Sequence, residues 1–134
     1  MTAAALPEGA EEIPFVGYNH YVGPLYRLPD RDGFHRFCFR VDERHMNCAG
    51  AVHGGMLMSL ADIAMSRAAR AGTDAQNSST VSLSCDFVAP GKLGEIIEAK
   101  VRVTRRARTT VFLSADIISD DRVLLVASGI WKIA

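Results

Sequence analysis

From Gly54 to about Arg70 the chain runs through strong helix formers with no proline and no glycine beyond the first two, and it is apolar nearly all round. That pattern predicts a buried helix. A different period appears from about Glu95 to Arg105. There Ile97, Ala99, Val101 and Val103 point one way while Glu98, Lys100, Arg102 and Thr104 point the other, as in a sheet with one wet face. Strand-like runs also occupy Phe34 to Val41, Thr80 to Val88, Thr109 to Ile118 and Arg122 to Ile133. Turn signals part them at Pro90-Gly91, Arg106-Ala107 and Ser119-Asp120-Asp121. Short connections imply antiparallel neighbours. The packing that buries the helix is α+β, with an antiparallel sheet of five to six strands curled round it. Pro14, Gly17, Gly23, Pro24 and Pro29 punctuate the segment before Phe34, and residues 1–12 read as a mobile N-terminal tail ahead of a single domain over 13–134.

Composition narrows the classes. The chain has 134 residues, enough for one domain and a core but not for two. A formal net charge of zero gives no general attraction to nucleic acid. There is no apolar run of about 18 residues and no signal-peptide core, so no membrane span is expected. Three cysteines, Cys38, Cys48 and Cys85, at no metal-ligand spacing point to a reduced, cytoplasmic protein.

The chemistry must be sought around the helix. Asn47 precedes His53-Gly54-Gly55 by six residues, and Asp62 is the helix's one acid. A carboxylate in an apolar helix needs partners or a use, because burying an unpaired charge costs several kcal/mol. The glycines let a ligand approach the free N–H groups of the helix start, where the positive dipole end favours a developing oxyanion. At a rise of about 1.5 Å per residue, however, Asp62 lies roughly 12 Å along the axis from Gly54. Two such helices packed antiparallel across a twofold axis would bring Gly54 of one chain to Asp62 of the other. The expectation is an obligate dimer with shared sites.

Blander roles exist for each residue. Asp62 could accept N–H bonds structurally, Asn47 could cap a turn, and His53 could orient its loop rather than act as a base. Cys48 beside Asn47 could pair with His53 as a nucleophile, but no third orienting group follows from the sequence. Cys38 and Cys85 read as core residues. His20, His35 and His45 have no ligand spacing with one another, so no metal is expected. Arg102, Arg105, Arg106 and Arg108 form the one dense basic cluster, either a solvated turn or a set of phosphate-binding forks, and Lys92 carries the same ambiguity.

With Gly23-Pro24-Leu25 ahead of the first strand and Phe87-Val88-Ala89-Pro90-Gly91-Lys92-Leu93-Gly94 at a hairpin, Asn47, His53-Gly54-Gly55 and Asp62 make the chain resemble the hotdog-fold acyl-CoA thioesterases of the phenylacetate-degradation type. The resemblance runs from about Phe15 to the C-terminus. It implies hydrolysis of a small, medium-chain or aryl acyl-CoA without metal or organic cofactor, by a homodimer that pairs into a tetramer. It implies Asp62 as general base or nucleophile, the Gly54 amide as oxyanion donor and Asn47 as the group that polarises the carbonyl or orients water. His53 and Gly55 would shape the loop, and Thr80 would assist the acid. Ala89, Pro90 and Lys92, with Arg105, Arg108 and Thr109, match segments that contact coenzyme A, although Ala107 stands where the family usually has glycine. Rival readings are a non-catalytic acyl-CoA-binding module and, on the same fold, an enoyl-CoA hydratase-like enzyme.

Overall fold

The computed structural model describes residues 4–134. In chain order the elements are β1 (Glu11–Glu12), α1 (Gly17–Val22), β2 (Tyr26–Arg31), β3 (Phe34–Arg40), a 3-10 turn (Glu43–His45), α2 (Gly54–Arg70), β4 (Ser78–Phe87), β5 (Ile96–Arg106), β6 (Thr110–Ser119) and β7 (Arg122–Ile133). The strands form one antiparallel sheet in the order β1-β2-β3-β5-β6-β7-β4. The inward residues of β5, Ile97, Ala99 and Val101, pack with Phe37 and Phe39 of β3 and Trp131 of β7 on the buried side of α2. This is the hotdog arrangement, a sheet curled round one long helix.

The sheet has seven strands where the pattern predicts five to six. The additions lie in the segment that proline and glycine obscure. In β2 the register shifts between Leu28 and Arg31, and Pro29 falls in that interruption, where its missing N–H breaks no continuous ladder. Helix α1 buries none of its six residues. It is fastened from its C-terminal end: Arg44 donates to the carbonyls of Tyr21 and Gly23, and His45 Nε2 meets that of Val22 at 2.7 Å.

Helix α2 is also less enclosed than its composition predicts. Nine of its residues are buried, but Gly55 and Met58 are exposed, and Ser59, Asp62 and Ser66 are half-buried. These residues recur at helical spacing and form one stripe facing away from the sheet. A single sheet covers one side of a helix, and the polar residues collect on the other.

The convex face carries a buried ion pair. Arg36 of β3, 6% exposed, grips both carboxylate oxygens of Glu98 on β5 at 3.0 Å and donates to the Pro29 carbonyl at 3.1 Å. The Glu98 bond holds the guanidinium's pKa above its ordinary value despite burial.

Strand β4 pairs with β7 alone among the described residues, so its other edge is open. It has no proline or lysine to blunt that edge, and Val81 and Phe87 are 63% and 54% exposed.

Of the segment read as a tail, residues 1–3 lie outside the described residues. Further along, Arg40 donates two bonds to the Ala4 carbonyl, at 3.1 and 2.7 Å, and Glu11–Glu12 pair with β2. Among the described residues no helix is long and apolar enough to cross a membrane.

Candidate active site

The helix start is built by a loop folded back on itself. A bridge joins Met46 to Val52, the Asn47 amide donates to the Ala51 carbonyl at 2.7 Å, and the His53 amide donates to the His45 carbonyl at 2.8 Å. Asn47 Oδ1 accepts from the amides of Ala49 and Ala51 at 2.9 and 3.0 Å. Both partners are donors, so this atom must be the carboxamide oxygen, and the NH2 group has no partner among the described residues. Asn47 thus caps its own loop while keeping a donor in reserve.

His53 is the N-cap of α2. Its Nδ1 accepts from the Gly55 amide at 2.8 Å, so that nitrogen carries no proton here. Met56 and Leu57 donate to the His53 carbonyl. The cap thus consumes the Gly55 amide, whereas the Gly54 amide has no partner among the described residues. Both glycines are tightly placed: an added Cβ would lie 3.0 Å from the exposed Phe87 ring at Gly54, which would have to give, and 2.9 Å from His53 Nδ1 at Gly55, where the cap would have to shift.

Asp62 sits two turns farther on, and Thr80 Oγ1 donates to its Oδ1 at 2.6 Å. The register of β4 against β7 shifts between Thr80 and Ser82. Such a bulge re-aims side chains, and it lies directly after the threonine that meets Asp62. One turn along the helix Ser66 pairs with Ser78 at 2.6 Å, fixing the start of β4 to α2. Beside Asp62 lies an open cleft of about 280 Å³, lined by Tyr18, Met58, Ser59, Ile63 and Leu83 among others. Ser59 donates to the Gly55 carbonyl at 2.8 Å, so Tyr18 donates the 2.6 Å bond between their hydroxyls.

Sequence reasoning missed α1, Tyr18 and the group that places them, His45. The His45 ring is buried, accepts from the Asp42 amide at 3.0 Å through Nδ1 and packs edge-on against Phe39. Burial pushes the Asp42 carboxyl up, but bonds from Arg44 outweigh it and hold the pKa below the ordinary value. The legible signal was Asp42 three residues before His45, the spacing of a capping box.

The residues expected to contact coenzyme A fall at opposite ends of α2. Ala89, Pro90 and Lys92 lie beside its N-terminus, because the Val52 amide donates to the Gly91 carbonyl at 2.9 Å. Glu95 fixes this connection by accepting from the Lys92 amide at 2.6 Å and from Ser119 and Arg122. Burial raises the Glu95 carboxyl's pKa, and these donors overcome it and hold it below the ordinary range. Arg105, Arg108 and Thr109 are exposed at the β5–β6 turn near the helix C-terminus, where Arg106 donates to the Ala69 carbonyl. One chain does not bring the two groups together.

Burial, and next the Glu98 carboxylate, push the buried Cys38 thiol up to about 12. Half-buried Cys85 is raised by burial, then by Asp86 and Asp62. Cys48 alone is exposed. Alkylation of the native protein near pH 8 should therefore mark Cys48 first, with Cys38 reacting only on unfolding; mass spectrometry of the labelled peptides checks the order.

Residues 49–126 match the family model described as Thioesterase superfamily. An esterase candidate of Pseudomonas aeruginosa is 32% identical over 84% of this chain and 84% of its own length. Human acyl-coenzyme A thioesterase 13 is 29% identical over 67% of this chain, but the match spans only 64% of that protein. Among solved structures, a conserved protein of P. aeruginosa superposes with TM-score 0.80 at 23% identity, covering 90% of this chain and 95% of that one. A Streptococcus pneumoniae protein described as a hypothetical thioesterase and solved with coenzyme A gives 0.73 at 22% identity, covering 82% and 88%. The chain belongs to the Thioesterase superfamily and is a thioester hydrolase of hotdog fold.

Proposed function

We propose that the substrate is a small, medium-chain or aryl acyl-CoA, hydrolysed to free acid and coenzyme A at sites shared between two copies of the chain. The observation that carries this reading is a pair of groups on one helix: the Gly54 amide, without a partner among the described residues, and, about 12 Å along, Asp62, whose carboxylate accepts from Thr80. Two antiparallel helices related by a twofold axis join them. The open edge of β4 supports the same dimer, since pairing with a second β4 would continue the sheet and set the two α2 helices side by side. Pairing of two such dimers gives the tetramer. Three unpaired cysteines fit a reducing, cytoplasmic setting.

In this reading Asp62 takes a proton from water as water attacks the thioester carbonyl, or its carboxylate attacks directly to give an anhydride that water then opens. Either way the carbonyl oxygen becomes an oxyanion. The partner's Gly54 amide donates to it, the positive end of α2 stabilises it, and the Asn47 NH2 orients carbonyl or water. Collapse breaks the C–S bond, and the thiolate leaves as coenzyme A after taking up a proton. His53 keeps the Gly55 amide occupied and the Gly54 amide open. Lys92 from one chain and Arg105 and Arg108 from another would meet the phosphates, with Ala89, Pro90 and Thr109 shaping the groove. The likeness to a thioesterase solved with coenzyme A supports this ligand.

Free-thiol release from a panel of short, medium-chain and aryl acyl-CoAs tests the reading. Release by a dimer or larger assembly is expected. Silence with tight coenzyme A binding would favour a binding module, loss of enoyl absorbance from a trans-2-enoyl-CoA without thiol release would favour hydration, and an active monomer would overturn the shared site.

A further inference from the structure

A second cavity lies on the other side of the helix from Thr80. It measures about 290 Å³ and is bounded by Arg67, Arg70, Ala71 and Gly72 at the end of α2, by Ala75 beyond it, and by Arg27 of β2 with His35 and Phe37 of β3. Strands β3 and β4 stand apart in the sheet, separated by β5, β6 and β7, so this cavity is distinct from the Asp62 cleft.

Three guanidiniums and an imidazole converge here from three elements. Among the described residues none of the three arginines has a carboxylate within ion-pair distance. Glu11 is the register partner of Arg27 but makes no ion pair with it, and Asp30 sits 3.4 Å from His35. Among the described residues Arg70 Nε is buried without a hydrogen-bond partner, while its Nη1 donates to the Gln76 carbonyl at 3.2 Å. Arg67 lies over the Phe15 ring with its Cζ 5.5 Å from the centroid, and among the described residues its side chain makes no hydrogen bond.

Arginines in the last turn of a helix ordinarily serve its negative dipole end and its free carbonyls. Here those carbonyls are already taken. The Ala71 amide donates to Arg67 and Ala68, Arg106 donates to Ala69, and Thr73 donates to Arg70 through both amide and hydroxyl. Capping therefore does not explain the Arg67 and Arg70 side chains, of which among the described residues only Arg70 Nη1 makes a hydrogen bond, to the Gln76 carbonyl at 3.2 Å, and it cannot explain Arg27 and His35, which come from the sheet. Burial, then the neighbouring Arg70 and Arg27, lower the Arg67 pKa, so the cluster is electrostatically unsatisfied as it stands. In a chain of zero net charge, the missing complement is an anion.

We propose that this cavity is a binding site for a phosphoryl group of diphosphate size, held by Arg27, Arg67 and Arg70 with His35 at its rim. Planar forks match phosphate oxygens two at a time, and three of them offset a multiply charged anion. At about 290 Å³ the space suits a diphosphate better than a whole nucleotide.

The test uses inorganic pyrophosphate as probe, with calorimetry and thermal melting at matched ionic strength. Saturable binding, one per chain, with a melting temperature raised by several degrees is expected. Arg67→Gln and Arg27→Gln should each weaken binding by about tenfold or more, as loss of a charge-assisted contact does. Arg67→Lys, which keeps the charge and the stem packing but loses the fork, should weaken it as well and serves if the glutamine variants fold poorly. Lys132→Gln, which removes an exposed charge on β7 outside both sites, should bind as the native protein does. No binding, binding by the Arg67 and Arg27 variants equal to that of the native protein, an equal loss in the Lys132 variant, or tighter binding of citrate than pyrophosphate would each overturn the assignment.

Discussion

Asp62→Ala is expected to leave a folded protein whose thioester hydrolysis is about 100- to 10,000-fold slower, the range a positioned general base contributes. Folding should survive because Asp62 is half-buried on the uncovered stripe of α2, makes one side-chain hydrogen bond, and is replaced by a better helix former. Circular dichroism and light scattering on the variant separate loss of chemistry from loss of structure. Thr80→Val removes the donor but keeps the carboxylate, so its effect should be smaller, about tenfold for one bond to a charged group. Near-normal turnover by Asp62→Ala would refute the assignment of the base. Turnover lost in Thr80→Val to the same depth would instead make the bond to Asp62 part of the reacting geometry.

The largest effect on stability is expected at Arg36→Ala, about 3–5 kcal/mol, read from urea unfolding. The variant strands the Glu98 carboxylate, whose side chain is 16% exposed, and removes the donor to the Pro29 carbonyl beside the interruption in β2. Attraction within the pair is not the reason for the size of the loss, since taking both charges out of water offsets much of it. An Arg36→Met/Glu98→Met variant should therefore recover most of the stability. A double variant as unstable as Arg36→Ala would mean that the pair itself, and not the stranded charge, holds β2, β3 and β5 together.

The parts of the fold that announce themselves are those in which one period dominates. Helix α2 spans Gly54–Arg70 as the pattern predicts, and β7 spans Arg122–Ile133. The neighbouring strands differ from expectation by a residue or two at their ends, where turn residues blur the alternation. What stayed hidden was α1 and β2. The helix is too short to show a period and buries nothing, and β2 carries a proline that argues against a strand unless the sheet's interrupted edge is known. At the candidate site the sequence pointed to Asn47, His53, Gly54, Asp62 and Thr80, and the structure brings Thr80 to Asp62 and His53 to Gly55. The division of labour between the two glycine amides was not legible, because it depends on which one the imidazole reaches. Nor was the meeting of Arg27 with Arg67 and Arg70, which follow it by 40 and 43 residues and reach it only where the end of α2 faces β2 and β3.

The position of β4 at the far edge of the sheet has a consequence for how the chain is made. Its partners in β7 lie 38 residues downstream at one end, Phe87 with Leu125, and 55 at the other, Ser78 with Ile133. During vectorial synthesis α2 and β4 emerge before β5, β6 and β7 exist, so the helix's apolar face is covered only in part by β3 at first, and the whole of β4 must wait unpaired until the last strand is delivered. Completion of the sheet is thus a late, long-range event, and the interval before it is when a nascent chain of this topology is most exposed to pairing with the wrong neighbour.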